Sequence, residues 1–216
     1  QHGGIPVIIQ GMKLHGAVPD FLKSACGALS NMCQNANNQG LIASHGGVAC
    51  LTQVLKNHRG NTALLPFAFD ALASLIVGNS ENGSKLSDAG AIGVILSLMQ
   101  EHLLHGELVK SGCHALAILS DNRGEGCKIA KAGGVRVLIP ILQHHPHQVD
   151  LHRVAAVVLL RMLQEAPVAH QMAYNRGVPL MLDVLEDQID EVETIAAGCH
   201  ILYSITHSDA LKGPPP

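Results

Sequence analysis

Two landmarks return along this chain at a nearly fixed interval, and they constrain its fold more tightly than any other feature. The first is a small turn residue followed by a branched apolar one: Gly4-Ile5, Gly47-Val48, Ala91-Ile92, Gly134-Val135 and Gly177-Val178. The apolar members are spaced 43, 44, 43 and 43 apart. Seven residues after each comes Met12, Leu55, Met99, Leu142 or Leu185, two helical turns further along the same face. The second landmark is Leu29, Leu72, Leu116, Leu159 and Leu202, again spaced 43, 44, 43 and 43, each 19 or 20 residues before the next turn landmark. Two series that stay in step mark a stacked repeat, in which each unit buries an apolar face against its neighbours.

Each period reads as three helices. A short first helix precedes the turn (37–44, 83–88, 126–131 and 170–175), and a second follows it (48–57, 92–101, 135–143 and 178–186). A longer third helix carries the Leu landmark (20–33, 65–77, 107–120, 149–164 and 191–206). Glycine belongs at the turn because a residue without Cβ readily takes positive φ and reverses the chain within two or three residues. Pro19, Pro66, Pro146 and Pro179 fall near helix starts or in linkers, where a missing N–H costs little. Pro140 falls inside a second helix and predicts a kink there. Gly124-Glu125-Gly126 reads as a linker at a repeat junction.

At this point the chain resembles the armadillo repeat, the family of β-catenin and importin-α. The residues that carry the likeness are Ile-Ala-Ser-His-Gly-Gly-Val (42–48), Leu-Thr-Gln-Val-Leu (51–55) and Phe-Asp-Ala-Leu-Ala-Ser-Leu (69–75). The resemblance implies an all-α fold, a right-handed α-solenoid of four complete three-helix units plus a leading fragment. It predicts a single array over 1–207, with units at about 1–33, 34–77, 78–120, 121–164 and 165–207. The Pro-rich end, 208–216, is expected to be a disordered tail. The ends themselves look cut from something longer.

Composition narrows the function classes. Hydrophobic residues make up 47% of the chain and charged ones 14%, with three Phe, two Tyr and no Trp, so the core must be aliphatic. A net charge of −3 gives no field to hold nucleic acid or a lipid surface. No apolar run is long enough for a membrane span, and no leader is visible, so a cytoplasmic or nuclear location is expected. Cys26, Cys113 and Cys199 lie three residues before the Leu landmark and read as small core residues in a reducing compartment. His144, His145 and His147, with His152 nearby, could offer weak metal ligands. They lack a Cys-x-x-Cys or His-x-x-x-His partner pair, so a solvated loop is expected and no metal or cofactor is assigned. Hydrolase, P-loop and dinucleotide motifs are missing as well, which points away from an enzyme.

In the family resembled here the third helices line a concave binding wall, and positions −6, −2 and +2 from the Leu landmark share one face. Position −6 reads Lys23, Pro66, Lys110, Arg153 and Ala196. Position −2 reads Gly27, Asp70, His114, Val157 and His200, and +2 reads Asn31, Ser74, Ile118, Arg161 and Ser204. The candidate partner-binding residues are Lys23, Asn31, Asp70, Lys110, His114, Arg153, Arg161 and His200. Peptide-holding relatives place Trp near −2 and Asn near +2; here only Asn31 matches, so import-signal binding in the importin manner is not expected. Lys23, Lys110, Arg153 and Arg161 with the single acid Asp70 suggest instead an acidic or phosphorylated protein segment. The expected function is a protein-interaction scaffold, the regulatory or docking part of a larger signalling or cytoskeletal protein. The alternative is a regulator or nucleotide-exchange factor of a chaperone ATPase or small GTPase, on fold analogy alone. An uncovered apolar side at Ile5, Val7, Ile8 and Ile9 predicts a homodimer through the N-terminal end, unless a further repeat covers it.

Overall fold

A computed structural model describes residues 3–165, 172, 177–187, 190 and 192–207. These residues form helices and turns with no strand, and they fall into two compact units, Gln1–Leu98 and Met99–Pro216. The first unit holds α1 (Gly4–Leu14), α2 (Pro19–Met32), α3 (Ala36–Ser44), α4 (Gly47–Asn57), α5 (Leu65–Ile76) and α6 (Ser80–Asp88). α7 (Ala91–Glu101) starts there and crosses the boundary. The second unit holds α8 (Gly106–Ser120), α9 (Glu125–Lys131), α10 (Gly134–His144), α11 (Val149–Glu165), α12 (Gly177–Asp187) and α13 (Val192–Thr206). The expected helices are all found within a few residues of their predicted ends, except 170–175, which lies largely outside the described residues, as does the 208–216 tail.

The turns before α4 and α10 work as the sequence requires. Gly46 and Gly133 take φ of 84° and 92°, where an L side chain is strained. The next residue is held by proximity instead: a β-carbon on Gly47 would lie 2.8 Å from the Ile42 carbonyl, and one on Gly134 would lie 2.9 Å from Met162 Sδ. Two glycines in a row therefore answer two different constraints. Glu125 and Gly126 are not linker, as the sequence suggested. Gly124 (φ 88°) is the N-cap of α9, and the buried Glu125 opens that helix, paired with Lys128 at 2.8 Å. α10 runs unbroken through Pro140.

In the first unit the third helices start on proline, the first helices start on an asparagine cap, and α5 closes on buried amides. Pro19 and Pro66 sit in the first turns of α2 and α5, and Asn35 and Asn79 cap α3 and α6 by accepting from the Asn37 and Asn82 amides. The last carbonyls of α5 would otherwise lack partners. Gln39 Nε2 donates to the Ser74 and Val77 carbonyls at 3.0 and 3.1 Å, and Asn82 Nδ2 donates to Leu75 O at 3.0 Å. Burying these two side chains is thereby compatible with full hydrogen bonding.

The core is aliphatic; among the described residues Phe69 is the one large ring fully buried. Within the second unit, second and third helices meet where the third has its smallest residue. A β-carbon on Gly112 would lie 2.7 Å from Met99 Sδ, and one on Gly198 would lie 3.0 Å from Leu185 Cγ. Leu29, Leu72, Leu116 and Leu159 are buried, and Leu202 is half-buried. Of the four residues expected to leave an open apolar side, Ile5 and Ile9 are buried, Ile8 is half-buried and Val7 is exposed.

Candidate functional site

In the first unit the third helices are α2 and α5. Lys23, Asn31 and Asp70 are exposed on them, as their register predicts. The Lys23 ammonium lies 4.7 Å from the Phe67 ring centroid, a cation–π contact that ties α2 to α5. A second tie joins Ser30 Oγ to Ser74 Oγ at 2.8 Å. Gly27 leaves open space where a side chain would stand. Phe67 was not singled out in the sequence because it sits one position beside the expected stripe.

In the second unit the third helices are α8, α11 and α13. His114, Arg153 and His200 are exposed, and Lys110 and Arg161 are half-buried. Lys110 Nζ and Arg153 Nη2 both approach Asp150, at 3.6 and 3.5 Å. At the other end, Arg161 Nη2 pairs with Asp121 Oδ1 at 2.6 Å while Nη1 donates to Ser120 O at 3.2 Å. Ile118 and Val157, both half-buried, lie between the two ends. This corrects the expectation of a stripe with a single acid. Asp150 lies in the first turn of α11 and Asp121 caps the end of α8, so neither falls in the −6, −2, +2 register. These acids make the strip three cations against two carboxylates, with two histidines beside them. The ion pairs are solvent-accessible, with side chains 36% to 64% exposed, and such pairs contribute only about 0.2–1 kcal/mol each.

The histidines do not converge. His144 Nδ1 donates to Pro140 O at 2.8 Å, while His145 turns inward and donates from Nε2 to Leu103 O at 2.8 Å. Among the described residues no three His, Cys, Asp or Glu side chains are placed to hold a metal ion. His58 Nε2 donates to Gly16 O at 2.7 Å in the same manner as His145. His15, His58, His102 and His145 recur every 43 or 44 residues, a third series in step with the landmarks that went unread in the sequence.

Burial pushes the Cys113 thiol up to about 12, and burial beside the Cys50 thiol does the same for Cys26. Cys199 departs from the expectation of a core thiol: it is exposed. Among the described residues no helix is long and apolar enough to cross a membrane.

The family model for the GAC ARM domain matches residues 12–208. Among curated proteins, the chain is 37% identical to the Protein aardvark of Dictyostelium discoideum over 70 residues, 28% of this chain and 9% of that protein. Among solved structures it is similar to a designed armadillo repeat protein in complex with the peptide (KR)4. That match has a TM-score of 0.76 and 18% identity, covering 94% of this chain and 82% of the other. It is also similar to a chain from a structure titled for a phosphorylation switch controlling the interaction between cadherin and beta-catenin. There the TM-score is 0.63 and the identity 15%, covering 97% of this chain and 46% of the other. A three-helix period, glycine turns and aliphatic helix stacking all agree with these likenesses: the chain belongs to the GAC ARM domain family and has the armadillo-repeat fold of a protein-interaction scaffold.

Proposed function

We propose that this chain is a non-enzymatic scaffold that holds an acidic or phosphorylated segment of a partner protein on the third-helix face of its second unit. The observation that carries the reading is the grouping of Lys110, Arg153 and Arg161 on α8 and α11, all solvent-accessible. Their ion pairs with Asp150 and Asp121 are weak enough for an incoming anion to displace. A phosphate or carboxylate can meet an arginine such as Arg153 or Arg161 through two parallel charge-assisted bonds, which a lysine cannot offer. Ile118 and Val157 between the charged ends suit an apolar residue of the bound segment. The designed armadillo repeat protein is in complex with a basic peptide, (KR)4; on the present strip that peptide meets like charge.

The test is fluorescence anisotropy with a labelled acidic peptide carrying one apolar residue, with and without phosphorylation, across a salt series. Binding should weaken with salt, and Arg153→Glu with Arg161→Glu together should weaken it at least tenfold. Equal affinity in the charge-reversed protein would end the acidic-segment reading. A reducing, cytosolic or nuclear setting belongs to the same proposal, supported by free Cys26, Cys33, Cys50 and Cys113 in the core. So does a place in the regulatory or docking part of a larger protein.

A further inference from the structure

We propose that the groove between α1 and α4 of the first unit binds a small linear carboxylate, an aliphatic chain ending in one negative charge. A cavity of about 360 Å³ opens there, at the small end of the range for ligand pockets. Its apolar floor is Met12, Cys50 and Val54, all buried. Lys13, Gln53 and Asn57, all exposed, supply its polar rim. The cavity lies on the side of α1 that faces α4, so both of its walls are helices of this chain.

The repeat shows why the groove is open. One period on, the counterpart of Gly16 is Arg59 and that of Gln53 is Ser97. Arg59 Nη2 donates to Ser97 Oγ at 2.7 Å, so a side chain bridges from the end of α4 to α7. Gly16, in the cavity lining, has no side chain to make that bridge from α1 to α4.

Charge selects what enters. Residues 1–69 hold Lys13, Lys23, Lys56 and Arg59 against one acid, Asp20, although the whole chain carries −3. Among the described residues no Asp or Glu lines the cavity. Lys13 reaches across to α4: its Nζ lies 3.8 Å from where a β-carbon on Gly46 would stand. Burial raises the Cys50 thiol, and the Lys13 ammonium opposes that shift, as a cation beside the cavity floor must. An anion at this end of the groove therefore meets an ammonium with no carboxylate in the lining to compete for it.

Shape selects the rest. From Gly46 to Asn57, both in the lining, α4 rises roughly 16 Å. The Lys13 charge stands at the Gly46 end of that length. At the other end Gln53 Nε2 donates to Asn57 Oδ1 at 2.7 Å, so those two amides partly satisfy each other. A linear molecule with its carboxylate at Lys13 and its chain over Cys50 and Val54 matches both charge and length. A compact anion such as phosphate would leave the apolar floor wet.

The test is a titration with octanoate, read in NMR spectra by the isotope-labelled methyl of Met12, with octanol as the uncharged control. The Met12 signal should shift saturably with octanoate, and the affinity should fall as salt rises. Octanol, or octanoate added to Lys13→Gln, should bind about fivefold more weakly, the upper range for an exposed ion pair. Ala49→Leu narrows the groove from an exposed lining position of α4. It should abolish the shift and leave the thermal midpoint unchanged. A Met12 signal that stays in place at millimolar octanoate overturns the proposal. So does octanol binding as tightly as octanoate, or undiminished binding in either variant. The third-helix strip of the second unit shares no residue with this groove, so its own test stands apart.

Discussion

At the scale of single residues, the glycine landmark was legible but its doubling was not. The sequence shows that small residues return before the second helix; it does not show that Gly46 serves φ and Gly47 serves space. The two requirements separate under mutation. Gly46→Ala and Gly133→Ala should each cost about 1–2 kcal/mol, the strain of a Cβ in the left-handed region. Gly60→Ala, with nothing within 4 Å of its β-carbon, should cost little in the same urea titrations. Cysteine burial was legible at two of the three positions that share a register. Cys26 and Cys113 occupy the same register as Cys199, yet only the first two are buried. Short alkylation of the native protein near pH 8, read by mass spectrometry, should therefore label Cys199 and the half-buried Cys127 and spare Cys26 and Cys113. Labelling of Cys113 at the rate of Cys199 would contradict the packing described around α8.

At the scale of helices, the Leu landmark led directly to the third helices, because a buried leucine every 43 residues can only be a core position. The partner surface it faces was less visible. Ala25, Ala68, Gly112, Ala155 and Gly198 lie four residues before the successive Leu landmarks, and the structure shows why that position stays small: Met99 and Leu185 sit against Gly112 and Gly198. Gly112→Ala should be close to neutral, since relief of the helix-interior glycine cost of about 1 kcal/mol offsets crowding against the adaptable Met99. Gly112→Leu should destabilise by about 1–3 kcal/mol as an overpacked contact. The two electrostatic ties between α8 and α11 were hidden for a different reason: Asp150 and Asp121 belong to helix ends, which a face-by-face reading passes over. Asp150→Asn should change stability by under about 0.5 kcal/mol, because its pairs are exposed. It should also tighten binding of an acidic peptide by freeing Lys110 and Arg153 from their shared carboxylate. Weaker binding in that variant would mean that Asp150 itself contacts the partner.

At the scale of the whole molecule, periodicity was enough to give fold class and helix order, since two landmark series leave a repeat array as the only economical packing. What it could not supply was the division into two compact units, because the boundary at Leu98–Met99 falls within a helix and leaves no mark in composition. A property that draws on both units is alkaline stability. Burial holds Cys26 in the first unit and Cys113 in the second at about 12, against an ordinary value of 9.0. Between those values the unfolded chain has released thiol protons that the folded chain keeps. Folding stability therefore falls as pH rises, by up to about 1.4 kcal/mol per pH unit for each such thiol, and is indifferent to them well below 9. Lysines and tyrosines titrate in the same range, so the test is a difference between proteins rather than a single curve. Cys113→Ala places at −3 the residue that Ala156 already supplies in the next repeat. The urea midpoint of that variant should start lower near pH 7.5, because a buried side chain is shortened. It should then fall less steeply than that of the unmodified protein from pH 9 to 10.5, so that the two curves converge. Parallel curves would show that Cys113 loses its proton as readily in the folded chain as in the unfolded one, which the enclosed position on α8 does not allow.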